Sequence, residues 1–503
     1  MEAAARRMVA LGGDPSELSI AGFEIHDPSA REARRLVKRH GVRPKVNVGD
    51  FLDAEPTQGF DAVIGNPPYV RFHDFSGPAR SVAIEAALRQ GVRLTKLASS
   101  WASFVVHSSA FLKPAGRLAF VLPAELLAAN YASDVRRFLL ERFASVSLVM
   151  FEGQVFPGVM TEAVLLLCEG TGGTDHFTVR QLRSAEDLAA PANTLSYRPL
   201  DYSDKWTGAL LSGLDGPLHL ERLAADNSFV GMGGWGYVAL GSVTGSNAYF
   251  SMSPKRAVEL GISRSELVRI SPPGSHHLRA IRLTSSAVSA LGRRGQQTLM
   301  FRPSSEPSKA ALEYIRQGER DGVDLAYKCR VRTPWWQVPQ VPVADLLVTC
   351  MNADTPRLVT NEARVRHLNS VHGLYLAEGH RDLGIALAVA SLNSATMLGA
   401  ELVGRSYGGG ILKLEPSEAL RLPLPSSELV RSNATRLVEL APILRRLIGN
   451  GLLLDAVDIV DETLLGDACG LRAQDIADLR HARSHLATRR SIRGASKGVA
   501  SGS

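Results

Sequence analysis

Asp61-Ala-Val-Ile-Gly-Asn-Pro-Pro-Tyr69 is the stretch from which the rest of the chain is read. An apolar, β-branched run leads into Asn66, and two prolines then stop it, because proline has a fixed φ and no N–H to give to a ladder. Asn66 and Tyr69 therefore fall at the carboxyl end of a strand, in the crevice where open α/β sheets bind ligands. Outward from this strand, short β-branched runs alternate with helical spacing. Upstream, Ile20–Glu24 reads as a strand, Asp27-Pro-Ser caps a helix that runs to His40 before Gly41, and Val46–Val48 reads as a second strand. Downstream, a helix over Ser100–Leu112, a strand over Arg117–Leu122, a helix over Asn130–Phe143 and strands over Ser145–Phe151 and Ala163–Cys168 are expected. Alternation of this kind predicts an α/β sheet covered on both faces, with purely apolar segments such as Leu118–Leu122 at its centre.

Composition limits what such a chain can be. The 503 residues suffice for two or three domains, and 45% hydrophobic with 21% charged residues is ordinary globular usage. The longest apolar run, Leu383–Leu392, is about half the ~18 residues of a membrane span. Met1-Glu-Ala-Ala-Ala-Arg-Arg is a charged helical pattern, unlike a signal peptide. Cys168, Cys329, Cys350 and Cys469 lack CxxC spacing, which argues against a zinc site or a disulfide framework; no metal is expected, and a cytoplasmic setting is. The net charge of +7 suits a polyanionic partner.

Asn-Pro-Pro-Tyr at positions 66–69, after an apolar strand, resembles the mark of the amino-methyltransferases. Its chemistry is specific. An exocyclic amine on adenine is a poor nucleophile because its lone pair is delocalised into the ring. Two acceptors on its two N–H bonds pull the nitrogen toward tetrahedral geometry. The resemblance makes the Asn66 side-chain oxygen and the Pro67 carbonyl those acceptors, with Pro68 stiffening the backbone and Tyr69 stacking on a base taken out of the duplex. The neighbours extend the likeness. Phe23-Glu24-Ile25-His-Asp-Pro28 resembles the family's second motif, implying that Glu24 accepts from the cofactor ribose and Ile25 lies against its adenine. Gly49-Asp50-Phe51 resembles the third, with Asp50 and Phe51 on the adenine. Trp101-Ala-Ser-Phe104, Leu112–Pro123 and Gln154-Val-Phe-Pro157 match the TaqI-like and Eco57I-like adenine methyltransferases, in which Phe156 would stack on the adenine opposite Tyr69; an ordinary core Phe is the alternative. The resemblance implies S-adenosyl-L-methionine as cofactor and a Rossmann-like class I methyltransferase sheet.

One part of the family pattern is missing. The Gly-rich first motif is not found: Leu11-Gly-Gly-Asp-Pro15 lies on the wrong side of a helix, and Met1–Leu11 resembles the helix that follows that motif. The sheet is therefore expected to be incomplete at its N-terminus, and cofactor binding weak or absent. A wrong start, a truncation and a strand from another chain are the competing explanations.

The expected domains are a methyltransferase domain over 1–190, a connector over 191–226, a mixed α+β target-recognition domain over 227–425, a helical segment over 426–490 and a disordered tail over 491–503. The recognition domain resembles that of the same subgroup at Leu240–Asn247, Tyr327–Arg330, Trp335-Trp336, Pro356–Leu358, Leu392–Ser394 and Ser406–Lys413. Lys328, Arg330 and Lys413 (with Arg332) could pair phosphates or read guanine, and Trp335 and Trp336 could wedge at the flipped base; a solvated cationic face and a core Trp pair are the alternatives. Arg472, Arg480, Arg483, Arg489 and Arg490 could clamp DNA or belong to a helical bundle. The expected function is site-specific N6-adenine methylation of double-stranded DNA by a monomer, as the modification part of a restriction–modification or phage-defence system with a separate restriction endonuclease or defence subunits. A glutamine- or ribosomal-RNA-directed enzyme is the nearest enzyme rival, and an inactive relic that only binds DNA is the rival of another class.

Overall fold

A computed structural model describes residues 1–495 apart from 71–73, 152–162, 190–193, 200 and 212. The chain divides into two compact units, Met1–Ser212 and Gly213–Ser503.

In the first unit, β1 (Ser19–Glu24) and β2 (Arg43–Val48) pair in parallel, with Glu24 opposite Val48. Helices α1 (Glu2–Ala10) and α2 (Asp27–Lys38) flank them, and Ala5, Ile20, Val37 and Val42 form their shared core. Pro28 in the first turn of α2 needs no N–H partner, and Gly41 turns the chain out of the helix at φ 77°. A separate sheet has the order β3 (Phe60–Gly65), β4 (Leu112–Pro123), β6 (Ala163–Glu169), β5 (Ser145–Phe151), β7 (Phe177–Leu182), β8 (Leu195–Tyr197). β3 and β4 run parallel, β4–β6 and β6–β5 antiparallel, β5–β7 parallel and β7–β8 antiparallel. Buried Leu118, Phe120 and Leu122 give β4 its central place. The sheet is thus an α/β sheet of mixed direction, as a class I methyltransferase has.

Helices α3 (Gly77–Leu88) and α4 (Trp101–Ser109) follow β3, and α4 stops short of the expected Leu112, where β4 already begins. The Phe111 carbonyl accepts from the Phe60 amide at 3.1 Å and Leu112 pairs with Phe60, so the chain is committed to the sheet by then. The region expected as connector contains β8 and the 3₁₀ turn Trp206–Leu211, whose buried Trp206 packs on Phe177 at 4.3 Å. It therefore belongs partly to the first unit, while the helix Gly216–Ala225 belongs to the second. Among the described residues no strand pairs with the second edge of β1 or of β3. Ile64 on β3 is 61% exposed.

The second unit is mixed α+β. Gly236–Leu240, Val371–Leu376, Leu346–Thr349 and Leu358–Thr360 form an antiparallel sheet in that order, beside two three-stranded sheets. The C-terminal helices pack into this unit rather than standing apart: Arg480 on Ala473–Ala495 pairs with buried Asp461, which also holds Ser394. Arg490 pairs with Glu401 on the helix Ser394–Val403. Residues 491–495 continue the last helix where a tail was expected. Among the described residues no single helix is long and apolar enough to cross a membrane.

Candidate active site at the strand ends

The parallel strands set the site. β1, β2 and β3 present Glu24, Asp50 and Asn66 at their carboxyl ends, as the alternation of strand and helix led one to expect. Glu24 is half-buried; one carboxylate oxygen accepts from the His26 amide at 2.9 Å. Asp50 caps the following turn by accepting from the Leu52 amide at 2.9 Å. Each carboxylate keeps a second oxygen for another donor. Phe51, behind Asp50, lies 5.6 Å from Phe23 on β1 and 5.8 Å from Phe104 on α4, ring centroid to ring centroid. His107, fully buried on α4, meets Phe51 edge-on at 5.0 Å, and burial lowers its pKa. The turn that carries Asp50 is thus held from below by α4. Ile25 stands 76% exposed beside Glu24, an apolar surface with nothing over it.

At the end of β3, Gly65 lets the strand come close to β4: a Cβ there would lie 2.8 Å from the Phe120 ring. Asn66 is exposed and Pro67 buried. The Tyr69 hydroxyl donates to the Val121 carbonyl at 2.9 Å, and burial pushes its pKa up to about 12, so it remains a neutral donor. Ser100, just before α4, holds the same loop. Its hydroxyl donates to the Pro68 carbonyl and accepts from the Val70 amide at 3.0 Å, while its own amide donates to the Val70 carbonyl at 3.0 Å. Sequence reasoning missed Ser100, although a serine directly before a helix is a recognisable signal. Phe156 lies outside the described residues.

The second-unit candidates separate. Lys328 and Arg330 are exposed on the short helix Tyr327–Arg330, with Lys328 5.5 Å from the Tyr327 ring centroid. Leu325, Tyr327 and Val331 beside them are 69%, 65% and 62% exposed, an apolar rim on a cationic turn. Trp335 packs on Tyr249 at 5.6 Å and Phe250 at 6.0 Å, and both tryptophans are half-buried against the core that holds those rings. Lys413 is engaged by Glu415 at 2.7 Å and sits over Tyr407. Arg332 donates to the Thr244 carbonyl at 2.7 Å and to the Val243 carbonyl. Arg480, Arg483 and Arg490 are likewise held inside the unit, by Asp461, by the Asp354 carbonyl and by Glu401. His219, Asp475 and Asp478 meet in one cluster, in which Arg472 already pairs with Asp475.

A carboxylate pair at the ends of β1 and β2, an aromatic turn behind Asp50 and Asn-Pro-Pro-Tyr after β3 of the mixed sheet define a methyltransferase of the class I fold. The comparisons narrow this. The family described as Type II methyltransferase M.Eco57I, C-terminal domain, matches residues 203–465, and Eco57I restriction-modification methylase matches residues 33–156. The chain belongs to the Eco57I-type restriction–modification methylases. It is 23% identical over 420 residues to Type II methyltransferase M.AccI of Acinetobacter calcoaceticus, covering 80% of this chain and 75% of that one. It is 26% identical over 439 residues to M.XamI of Xanthomonas campestris pv. amaranthicola, covering 84% and 79%. In fold it is similar to the Type IIL restriction–modification enzyme MmeI, solved in complex with DNA: TM-score 0.54, 12% identity, 93% of this chain and 66% of that one.

S-adenosylmethionine is the cofactor of this class, and the residues suit it. The open carboxylate oxygens of Glu24 and Asp50 can accept from ribose hydroxyls and an amino group, and the exposed Ile25 side chain offers an apolar face to a ring.

Proposed function

We propose that the protein is a site-specific DNA methyltransferase acting on the N6 amino group of an adenine flipped out of duplex DNA, as the modification component of a restriction–modification or defence system. The observation that carries this is the state of the Asn66–Tyr69 loop. The Tyr69 hydroxyl, the Pro68 carbonyl and the Val70 amide and carbonyl are tied to Val121 and Ser100, whereas the Asn66 side chain and the Pro67 carbonyl have no hydrogen bond among the described residues. The Asn66 side-chain oxygen and the Pro67 carbonyl thus remain as neighbouring acceptors at the strand end, one for each N–H of an amino group. Preorganised acceptors of this kind act on the transition state without reorganising. When bound, S-adenosylmethionine supplies a methyl group on a sulfonium, which Glu24, Ile25, Asp50 and Phe51 would hold by its nucleoside end. Tyr69, its hydroxyl fixed, offers a ring face for stacking. Lys328 and Arg330, exposed and in no ion pair among the described residues, suit DNA phosphates. The relatives' names as Type II methyltransferases and the DNA complex of the MmeI fold relative support the same substrate.

The test is transfer of labelled methyl to mixed-sequence duplex DNA. Label is expected in DNA, lost in Asn66→Ala with DNA affinity kept; near-full transfer by that variant removes Asn66 from its role. Label in protein or RNA but not in DNA would favour the other amino-methyltransferases.

A second reading has its own observation. Among the described residues the outer edges of β1 and β3, in their separate sheets, pair with no strand, which suits a protein that binds DNA without methylating it. Calorimetric titration with S-adenosylmethionine separates the two: weak or no heat is expected for the DNA-binding relic, and a dissociation constant in the low micromolar range removes it.

A further inference from the structure

We infer that Ser100 is the positioning residue of the substrate loop, deciding which backbone carbonyl faces the amine. This role presupposes the methyl-transfer site proposed above. Pro67 and Pro68 have no N–H, so between Asn66 and Val70 the loop has only the Tyr69 amide as an inner donor. Such a loop cannot lock itself by its own ladder. Ser100 supplies what is missing from thirty residues away. Its hydroxyl hydrogen goes to the Pro68 carbonyl, its hydroxyl oxygen accepts from the Val70 N–H at 3.0 Å, and its own amide N–H donates to the Val70 carbonyl at 3.0 Å.

A hydroxyl is suited to this place because it donates and accepts at once. Ser100 is 2% exposed, so water cannot readily replace it. The residue is itself anchored: Trp101, the first residue of α4, donates its indole N–H to the Tyr131 hydroxyl at 3.0 Å, and Tyr131 donates to Glu125. The consequence is a choice between two adjacent carbonyls. With Pro68 committed to Ser100, the Pro67 carbonyl is the one that stays open beside Asn66. Without the hydroxyl, the peptide after Pro68 gains freedom and the two acceptors lose their fixed relation.

The experiment compares Ser100→Ala and Ser100→Thr with the full chain in steady-state methyl transfer, measuring kcat, KM for DNA and for S-adenosylmethionine, and melting temperature. Ser100→Ala is expected to lose roughly tenfold to a hundredfold in kcat, the scale of a misplaced reacting group. Both KM values should stay near wild type, and Ser100→Thr, which keeps the hydroxyl, should recover most of the rate. Wild-type kcat in Ser100→Ala overturns the inference. Equal loss of kcat in both variants, accompanied by lowered melting, also overturns it and leaves Ser100 a structural residue. A wild-type chain that transfers no methyl removes the proposed function itself, and this role with it.

Discussion

The Tyr69 hydroxyl lies 2.9 Å from the Val121 carbonyl and donates to it, joining the loop after β3 to the carboxyl-terminal part of β4. The bond orients a ring rather than a reactive hydroxyl, since burial keeps the phenol protonated to about pH 12. Tyr69→Phe should therefore keep most methyl transfer and lower stability by about 1 kcal/mol, the usual net value of one hydrogen bond. Tyr69→Ala, which removes the stacking face, should lose transfer by a larger factor than Phe does. Single-turnover rates and chemical denaturation measure both; equal loss of rate in Phe and Ala would place the hydroxyl, not the ring, in the chemistry.

The pair Arg490–Glu401 is bidentate, at 2.8 and 3.0 Å, with both side chains at least 95% buried. Removing one partner leaves the other charge buried, so Glu401→Ala should destabilise the second unit by about 3–5 kcal/mol. Carbonyls of Gly410 and Ala353 also accept from Arg490 and do not neutralise it. Urea unfolding followed by tryptophan fluorescence reads this, and a loss under about 1 kcal/mol would mean that water reaches the guanidinium.

Much of the site could be read from the sequence because its signals are local. The double proline marks the end of β3, and Asp50 sits where a short capping residue is expected. What escaped depends on tertiary contacts. Ser100 acts on residues thirty positions earlier, and nothing in Ser99-Ser100-Trp101 says which loop it faces. The partners of Trp335 and Lys413, which are Tyr249, Phe250 and Glu415, are likewise set by tertiary contacts that the local sequence does not name.

His367 is fully buried, its ring so close to two glycines that a Cβ would lie 2.6 Å from it at Gly373 and 2.8 Å at Gly241. Desolvation, then the nearby His372, push its pKa down to about 4, and burial does the same to His277. In the unfolded chain both protonate near 6.5; in the fold they do not until about 4. Their contribution is present above pH 6.5 and is lost as pH falls from there to 4, at up to about 1.4 kcal/mol per pH unit for each group. Unfolding free energy of the wild type should thus drop between pH 6.5 and 5, and His367→Leu should show a slope shallower by up to about 1.4 kcal/mol per pH unit. A slope unchanged in the variant would mean that His367 is protonated in the fold.

Lys328 and Arg330 share one exposed turn with Leu325, Tyr327 and Val331, whereas Arg332, two residues on, is turned inward to the carbonyls of Thr244 and Val243. This splits one cationic run into two roles. If the outer pair contacts phosphates, each contact releases condensed counterions, and the logarithm of affinity falls with the logarithm of salt by about 0.9 per contact. Lys328→Ala with Arg330→Ala should then weaken duplex binding for every sequence alike and make the salt dependence shallower by about two units. Arg332→Ala should instead lower thermal stability, because the Val243 and Thr244 carbonyls lose their donors. Fluorescence anisotropy on labelled duplex across a salt series distinguishes the cases: an unchanged slope in the double variant takes the turn out of the DNA interface, and a loss confined to one sequence would assign it to base reading instead.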